Sequence, residues 1–559
     1  MKLKAPPLIV AGGAGDTLSA QTLAAMKKIA LGALFFSSMF AAHQHPASAP
    51  AEKPVALYPG LGTWRHSIAT RQPEAQKFFN QGLVLMYGFN RYEALRSFRK
   101  VAELDPNAAM PYWGMAMALG PYINMDIDPA VNIKDACTAV NKGLSLKGAS
   151  QLERAWLKAA EARCPDFSDP ARYVHAMHEL AEQYPDDPDA QTLYAEALMI
   201  PVRWRWYALD GKPAEGVSEA EHVLESVLRR FPYHPGANHL YIHAVESSPT
   251  PERAIPSAQR LMGIVPAAGH MVHMPGHIWL LLGDFNNAAA VNERAADVDR
   301  QYFAETGVTG SYYPYYLHNL QFILYARSMQ GRVADTKKAA QQISNAAEAM
   351  AQSMPDMTEI FVSFATMAQV RVNQWDEVLS LAPPKSKSPI SMALWHHARA
   401  VAFAGKAQLG EAGRERVQFE KLRKTIDRSI PWSNNKTGDV MDLASAVLEA
   451  RIQPSPALAV PKWKRAVTIQ DELAYDEPPA WYYPVRESLG GSLLMAGDAP
   501  AAEAVFREGL RRGPNNGRML FGLLESLKTQ RKADQAAWVE QEFNAAWNGA
   551  DIQLRLKDL

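Results

Sequence analysis

The sequence has few cysteines and no excess of either charge. Its 559 residues include two cysteines, Cys137 and Cys164, and neither lies in a CxxC or Cys–His spacing, which argues against a cysteine-based metal site. Lysine plus arginine and aspartate plus glutamate both total 58, so no net field attracts nucleic acid or an anionic membrane surface. We therefore expect neither as a partner.

Familiar catalytic motifs are also missing. We find no glycine-rich phosphate loop, no nucleophile elbow and no HExxH. The nearest element to a metalloprotease motif is His239 to His243 with Glu246, but it lacks the glutamate beside the first histidine that acts as general base. A standard zincin is therefore rejected.

No apolar run has the length of a membrane span. Met26-Lys27-Lys28 precedes an apolar run from Ile29 to Phe40, which is too short to cross a bilayer and is followed by small and polar residues. We interpret 26–49 as a secretory signal peptide and 1–25 as a gene-model extension, with a membrane anchor as the alternative. The prediction is a periplasmic or secreted protein without a stable membrane anchor after cleavage.

The two cysteines have two readings. Residues 131–145 and 151–163 have the pattern of an antiparallel helix pair, which brings the start of the first helix near the end of the second. In an oxidising compartment this favours a Cys137–Cys164 disulfide, and free thiols are the alternative.

The chain consists of helix-forming sequence nearly throughout. Apolar residues recur at spacings of three and four, and strand-like alternation is hard to find, so we predict an all-α protein. In 75–108, five residues fit the 34-residue tetratricopeptide pattern in a single register: Phe78, Gly82, Ala94, Phe98 and Pro106. This pattern predicts a superhelical solenoid of antiparallel helix hairpins.

Further repeats extend the array nearly to the C-terminus. Units begin near Pro188, Leu317, Ser391, Tyr483 and Gly517. We divide the chain into N-terminal repeats and hairpins (60–230), central repeats (235–336) and C-terminal repeats (337–559). Aromatic or proline-rich insertions separate units, and because they are too apolar for solvated linkers we expect them to pack over the concave face: 203–207, 312–316, 381–389 and 475–484.

Histidines concentrate in two adjoining central repeats, 235–268 and 269–302. Six of the fifteen histidines lie between His234 and His277. His239 and His273 share repeat position 5, and His243 and His277 share position 9. The two histidines of each pair are four residues apart, so they follow one helix face with Cβ atoms roughly 5–6 Å apart.

The chain resembles a group of exported bacterial tetratricopeptide proteins without a settled activity. The resemblance covers most of 60–540 and is carried by FNQGLVLMYGFNRYEALRSF, AAMPYWGMAMALGP, NHLYIHAVE, GHMVHMPGHIWLLLGDF and YDEPPAWYYPVRESLG. Relatives often have histidine after the FN pair, where this chain has Arg91, which puts a role for that position in doubt. The resemblance implies that positions 2, 5, 9 and 12 of the first helix of each repeat face a concave groove.

These positions predict a metal site. With neighbouring helices about 8–10 Å apart, four imidazoles from two repeats can reach a common centre. Imidazole and carboxylate without thiolate suit Zn, Cu, Fe or Ni. Pro275 weakens the square arrangement because it interrupts the second helix. The predicted ligands are His239, His243, Glu246, His270, His273, His277 and His318.

Additional groove contacts come from two other segments. Glu196 aligns with His243 at position 9, and Glu487 falls at position 5 beside Arg486, a donor suited to a carboxylate or phosphate. Trp481, Tyr482 and Tyr483 are expected to form a pocket wall. The alternative for 471–487 is a helix cap with a packed turn.

Three functional hypotheses follow. The leading one is an exported solenoid that binds a transition metal in its groove, and a sharper version is a metalloenzyme with an open metal position that activates water or O₂. The alternative is a periplasmic adaptor whose groove binds a peptide or protein partner, with the histidines as contact residues and no metal.

Overall fold

The computed structural model describes residues 53–125, 133–164, 167–308 and 310–559. The predicted extension 1–25 and signal peptide 26–49 lie outside these residues. The described chain is mostly helical, and its only strands form a short hairpin of β1 (Pro431–Trp432) with β2 (Asn435–Lys436). The all-α prediction is confirmed.

The N-terminal part forms helix hairpins from the first predicted repeat onward. The segment 200–202 adds one turn of 3₁₀ helix after the seventh helix. The helices are α1 Pro73–Tyr87, α2 Arg91–Leu104, α3 Met110–Leu119, α4 Ile133–Ser145, α5 Gln151–Glu161, α6 Pro170–Gln183, α7 Pro188–Met199 and α8 Val217–Arg230.

The central part contains the two histidine-rich repeats. Short 3₁₀ turns at Pro251–Ala254 and Gly310–Tyr312 precede two of its helices. The helices are α9 Pro235–Glu246, α10 Ile255–Ile264, α11 Gly269–His273, α12 Pro275–Leu281, α13 Phe285–Thr306, α14 Tyr313–Met329, α15 Val333–Glu348 and α16 Pro355–Arg371.

The C-terminal part continues the array and ends in a 3₁₀ turn at Leu556–Asp558. Its helices are α17 Trp375–Ser380, α18 Pro389–Gly405, α19 Leu409–Arg423, α20 Thr437–Arg451, α21 Pro456–Asp471, α22 Arg486–Met495, α23 Ala499–Arg512, α24 Gly517–Thr529 and α25 Ala533–Ala546.

Small residues allow consecutive helices to pack around a phenylalanine. A Cβ atom at Gly82 would lie 2.7 Å from the Phe98 ring, and one at Gly114 would lie 2.5 Å from it. Near the C-terminus, Phe506 occupies the same place between Gly490 and Gly522. The glycine and phenylalanine positions of the repeat pattern therefore have a direct steric cause.

Cys137 and Cys164 form a disulfide bond, with their Cα atoms 5.8 Å apart. The bond joins α4 to the turn after α5, as the predicted helix pair requires. Of the two readings of the cysteines, the disulfide is confirmed.

Distant parts of the array contact its centre. Helix α9 packs on α1, where Gly236 leaves room for the Tyr87 ring. From the C-terminal part, Asn515 donates to the carbonyl of Leu282 at 3.3 Å. No helix in the described ranges combines the length and apolarity that a bilayer crossing requires.

Two local predictions have different outcomes. Pro275 does interrupt its helix, because α11 ends at His273 and α12 begins at Pro275. The prediction of an insertion at 312–316 is wrong, because Tyr313 begins α14. Proline is well tolerated in a first helical turn, where its missing N–H has no intrahelical partner. Pro314 therefore starts this helix instead of breaking it.

Candidate metal centre

Four neighbouring helices bring the seven predicted ligands together. Helix α9 carries His239, His243 and Glu246, α11 carries His270 and His273, α12 carries His277 and α14 carries His318. His318 is half-buried, and the other six are at most 2% exposed. The sequence predicts that these side chains face a concave groove with aromatic insertions packed over it. Neighbouring segments cover them, so the histidines form a buried cluster.

Local sequence explains how α9 and α11–α12 present their histidines. Pro235 occupies the first turn of α9, and the His234 side chain caps it by accepting a hydrogen bond from the N–H of Ala237 at 3.0 Å. The break at Pro275 separates His273 from His277, yet both rings still point to the same region, since their Nε2 atoms are 2.6 Å apart.

Three histidines form a group that we call the N-terminal triad: His239, His243 and His270. One ring nitrogen from each lies within 4.8 Å of the other two. The Nε2 atoms of His239 and His270 are 3.2 Å apart. Ligand atoms around a tetrahedral ion with bonds of about 2.0–2.1 Å are roughly 3.3 Å apart, so this spacing suits a metal ion.

The C-terminal triad consists of His273, His277 and His318. Its three ring nitrogens also lie within 4.8 Å of one another. His318 joins from α14, with its ring 4.9 Å from that of His273. In each triad, two histidines are therefore four residues apart in the sequence, and the third comes from another helix.

Two glutamates contact the histidines on their Nδ1 side. Glu246 Oε1 accepts from His243 Nδ1 at 2.8 Å, and its Oε2 accepts from His277 Nδ1 at 2.5 Å. Glu477 Oε2 lies 2.9 Å from the same His277 nitrogen. Carboxylates in this position fix ring orientation and tautomer, as they do for many metal-binding histidines.

Hydrogen bonds also fix the tautomers of other rings. A carbonyl only accepts, so His239 Nδ1 donates to the oxygen of Tyr87 at 2.6 Å. The amide of Asn292 donates to Ala288, so its oxygen accepts from His273 Nδ1 at 2.6 Å. Each neutral ring then has a bare lone pair on Nε2, directed toward another histidine.

Within the histidine cluster, two buried ring nitrogens have no hydrogen-bond partner among the described residues: Nε2 of His243 and Nδ1 of His270. A buried polar atom without a partner costs about 1–3 kcal/mol. For His243, whose Nδ1 proton is held by Glu246, the unpartnered Nε2 is an acceptor. It is an atom that a cation at the N-terminal triad would satisfy.

Burial keeps most of the cluster uncharged. It lowers the pKa of His243 to about 3 and that of His318 to about 4, and it places the pKa of His239, His270 and His273 well below the usual range. Burial acts in the same direction on His277, but Glu477 and Glu246 outweigh it and raise that pKa to about 10. Neutral imidazole is the form that binds metal.

Aromatic rings enclose the cluster. Phe89 stacks on His270 with ring centroids 4.9 Å apart, and Trp204 packs edge-on to His243 at 5.7 Å. Both residues have a left-handed backbone, with φ of 57° and 60°, which is unfavourable for bulky side chains. The surrounding structure holds this strain where two apolar rings exclude water from the histidines.

A cavity of about 220 Å³ borders His277. Its walls come from α12, α14 and the segment between α21 and α22, and include Phe322, Tyr475, Glu477 and Trp481. The predicted pocket wall thus contains Trp481. It gives the cluster one neighbouring space that a small molecule can occupy.

Several predicted groove contacts are not brought to the histidines. Arg486 is paired with Asp471, at 2.6 and 2.5 Å, and Glu487 is paired with Arg371, at 2.8 Å for both contacts. Glu196 lies 3.5 Å from Arg91. Tyr482 and Tyr483 are buried beside Trp481 but do not border the cavity. These side chains have their own partners within the fold.

Sequence reasoning missed the residues that support the cluster from distant segments. Tyr87 and Phe89 come from the end of α1, Asn292 from α13 and Glu477 from the insertion at 475–484. The available signal for Glu477 was an acidic pair followed by two prolines in an aromatic segment. That pattern fits a helix cap as well as it fits a pocket wall, so it does not single out Glu477.

A separate histidine and carboxylate group lies beside a cleft of about 650 Å³ and comprises His66, Asp187 and Asp189. Asp189 accepts from four side chains, at 2.7–3.1 Å: Trp64, His66, Tyr87 and His234. Burial opposes its ionisation, but His234 and His66 hold its pKa well below the usual range. Asp189 therefore anchors the segment before α1 to α7 and α9.

No protein-family model matches this chain, and no curated protein matches it. Solved structures give weak similarities. Yeast Tom70 is 11% identical, with 85% of this chain and 91% of that chain covered and a TM-score of 0.29. The human IFIT1 dimer with m7Gppp-AAAA is 12% identical, with 86% and 91% covered and a TM-score of 0.32.

The TPR domain of P58(IPK) is 11% identical, with 82% of this chain and 99% of that chain covered and a TM-score of 0.21. At these values the similarities support no statement about function. The tetratricopeptide-like fold of this chain is evident from its own successive helix hairpins and from the glycine and phenylalanine contacts between them.

Substitution of Asp299 tests the support of His270. Asp299 accepts from Tyr312 at 3.0 Å and from Asn319 at 2.7 Å, and Tyr312 in turn accepts from the His270 N–H. Burial raises the pKa of Asp299 from 3.8 to about 7. The folded protein therefore holds this proton more tightly than the unfolded chain, and its stability falls as pH rises from about 4 to about 7.

Asp299→Asn cannot ionise, so it should avoid the loss in the free energy of unfolding that ionisation of Asp299 causes, which is roughly 4 kcal/mol at most. Asn319 can rotate to present its oxygen to the new amide, and this oxygen is unpartnered in the described structure. We expect the variant to gain stability relative to wild type between pH 4 and pH 7 in urea unfolding. The control is Asp297→Asn at an exposed site. A pH-independent difference for Asp299→Asn would contradict the assignment.

Proposed function

We propose that this protein is an exported tetratricopeptide-like solenoid whose buried histidine cluster binds a transition metal ion, such as Zn, Cu or Fe. The observation that carries the proposal is the direction of the Nε2 lone pairs. His239 and His273 have Nδ1 protons held by oxygen acceptors, so their Nε2 atoms face other nitrogens without a proton of their own. Nitrogen lone pairs that converge in this way are suited to bind a metal cation.

The ligand set supports a transition metal over a hard cation. Imidazole nitrogens outnumber carboxylates at the centre, and the two glutamates contact Nδ1 protons on the outer side of the rings. Ca²⁺ and Mg²⁺ prefer oxygen ligands, whereas imidazole suits Zn, Cu, Fe and Ni.

The alternative is an adaptor that binds a peptide through the same histidines. Burial argues against it, because every histidine of the cluster except His318 is at most 2% exposed and offers no contact surface to a peptide. A helix-hairpin array also presents extended outer surfaces. A protein partner on such a surface is compatible with a metal ion in the interior.

A metalloenzyme is the sharper form of the proposal. Catalytic zinc sites keep three protein ligands and one open position, and each triad offers three nitrogens. The cavity beside His277 supplies space for a small molecule next to the C-terminal triad.

Metal analysis tests the central claim. We expect purified wild-type protein to contain a transition metal, and we expect His239→Ala/His243→Ala to lose most of it because two ligands are removed. Glu246→Gln keeps the shape and removes the charge behind His243 and His277, and should weaken metal affinity by about 10–100-fold.

His175→Ala/His178→Ala is the matched control, since both side chains are solvent-exposed on one helix, at 75% and 42%. It should keep the wild-type metal content. Equal metal content in the control and in His239→Ala/His243→Ala would refute metal binding by the cluster. Circular dichroism checks that each variant keeps its helices.

An added anion tests the metalloenzyme form. We expect azide to change the visible spectrum of Co²⁺-loaded protein, because an open coordination position accepts an exogenous ligand. An unchanged spectrum at saturating azide indicates a closed ligand sphere and rules out this form of the proposal.

Export is supported by the signal-like segment 26–49 and by the disulfide between Cys137 and Cys164. When the chain from Met26 onward is expressed in a Gram-negative bacterium, we expect a periplasmic product that begins after Ala42, Ala49 or Ala51, as measured by intact mass. An uncleaved cytoplasmic product would contradict export.

A further inference from the structure

The six histidines of the cluster do not surround a single point. They divide into the N-terminal triad and the C-terminal triad, and in each a nitrogen from every ring lies within 4.8 Å of the other two. Among the described residues, no group of four or more histidine nitrogens meets that distance. The triads are nevertheless adjacent, since the rings of His243 and His277 are 5.5 Å apart, as are those of His270 and His273.

We propose that the cluster is a dinuclear centre, with one metal ion in each triad. This inference rests on the proposed metal-binding function and extends it from one ion to two. Two-metal sites hold both ions close enough to share a small ligand, commonly about 3.5–4 Å apart.

One ion cannot use all six rings in the observed arrangement. Bonds from histidine nitrogen to a first-row metal are about 2.0–2.1 Å, so ligand atoms on opposite sides of one ion are at most roughly 4.2 Å apart. A single ion therefore gathers one triad and leaves the other three nitrogens outside its ligand sphere. With two ions, every histidine of the cluster is a metal ligand.

A third group, His243 and His277 with Glu246 and Glu477, is less suited to hold an ion itself. Its nitrogen-to-oxygen contacts are 2.8, 2.5 and 2.9 Å, which are hydrogen-bond distances and shorter than the roughly 3.3 Å between ligands of a tetrahedral ion. The contacts also use Nδ1, which leaves Nε2 free for the triads. Glu246 consequently links the two triads through one carboxylate.

Charge also fits two ions that share these carboxylates. A buried charge needs a compensating charge nearby. Glu246 contacts histidines of both triads, and Glu477 contacts the C-terminal triad. Together they offset half the charge of two divalent ions, and small anions at the open coordination positions offset the remainder.

The two triads are unequal. Both the 3.2 Å contact of His239 with His270 and the 2.6 Å contact of His273 with His277 are hydrogen bonds that an ion must replace, but the first is longer and already close to the roughly 3.3 Å between ligands of a tetrahedral ion. We therefore expect the N-terminal triad to fill first as metal is added.

Co²⁺ titration of the full mature chain, with bound metal measured after equilibrium dialysis, tests the proposal. Wild type should bind about two Co²⁺ per chain in two steps, one ion per three-histidine site. His239→Ala/His270→Ala should lose the first step and His273→Ala/His318→Ala the second, each retaining about one ion. His175→Ala/His178→Ala, at exposed positions, should retain about two.

The outcomes separate this inference from the proposed function. About one Co²⁺ in wild type, lost from either triad variant, indicates a single shared site and overturns the dinuclear centre while metal binding stands. No Co²⁺ in wild type overturns both. If an alanine variant loses helical circular dichroism, Cu²⁺-loaded wild type decides: magnetic coupling between two ions in the electron paramagnetic resonance spectrum supports the proposal, and the spectrum of isolated Cu²⁺ overturns it.

Discussion

The central part of this structure depends on the hydrogen-bonding demands of buried imidazoles. Six histidine rings meet in an interior closed by Phe89, Trp204 and other aromatic rings. Oxygen acceptors hold the Nδ1 protons of His239, His243, His273 and His277. The neutral rings of His239, His243 and His273 therefore direct Nε2 lone pairs inward, whereas Glu477 and Glu246 raise the pKa of His277 to about 10. An apolar core would be easier to pack and would leave no polar atom without a partner. The arrangement is costly for stability alone, and the metal ion that we propose would offset this cost.

Segments distant in sequence complete the centre. The Tyr87 carbonyl comes from the first repeat, and Glu477 comes from a segment about 200 residues beyond the histidines in the chain. Ligand geometry therefore depends on how the array folds back on itself. Contacts such as Asn515 to Leu282 and Gly236 against Tyr87 are remote from the chemistry, yet they hold the parts that orient the rings. Substitutions there are expected to act on the histidine cluster through ring orientation.

Predictions were confirmed where the interacting residues lie close together in the sequence. Gly82 with Phe98, and Gly490 with Phe506, followed from repeat position because the packing partner lies in the same or the next helix. The interruption at Pro275 followed from backbone chemistry. Predictions were wrong where the partner of a side chain could not be read from the repeat pattern. Arg486 and Glu487 were expected in the groove, but Asp471 and Arg371 bind them.

The sequence by itself determined the helical repeat, the helix pair that carries Cys137 and precedes Cys164, and the concentration of histidines at repeated positions of two adjoining repeats. These properties depend on spacing along a helix, which the chain encodes locally. Only the tertiary structure decided that the histidines are buried, that they divide into two triads and that Glu477 joins them in place of Glu487. Burial and ligand grouping depend on the curvature summed over many repeats, and no single repeat specifies that curvature.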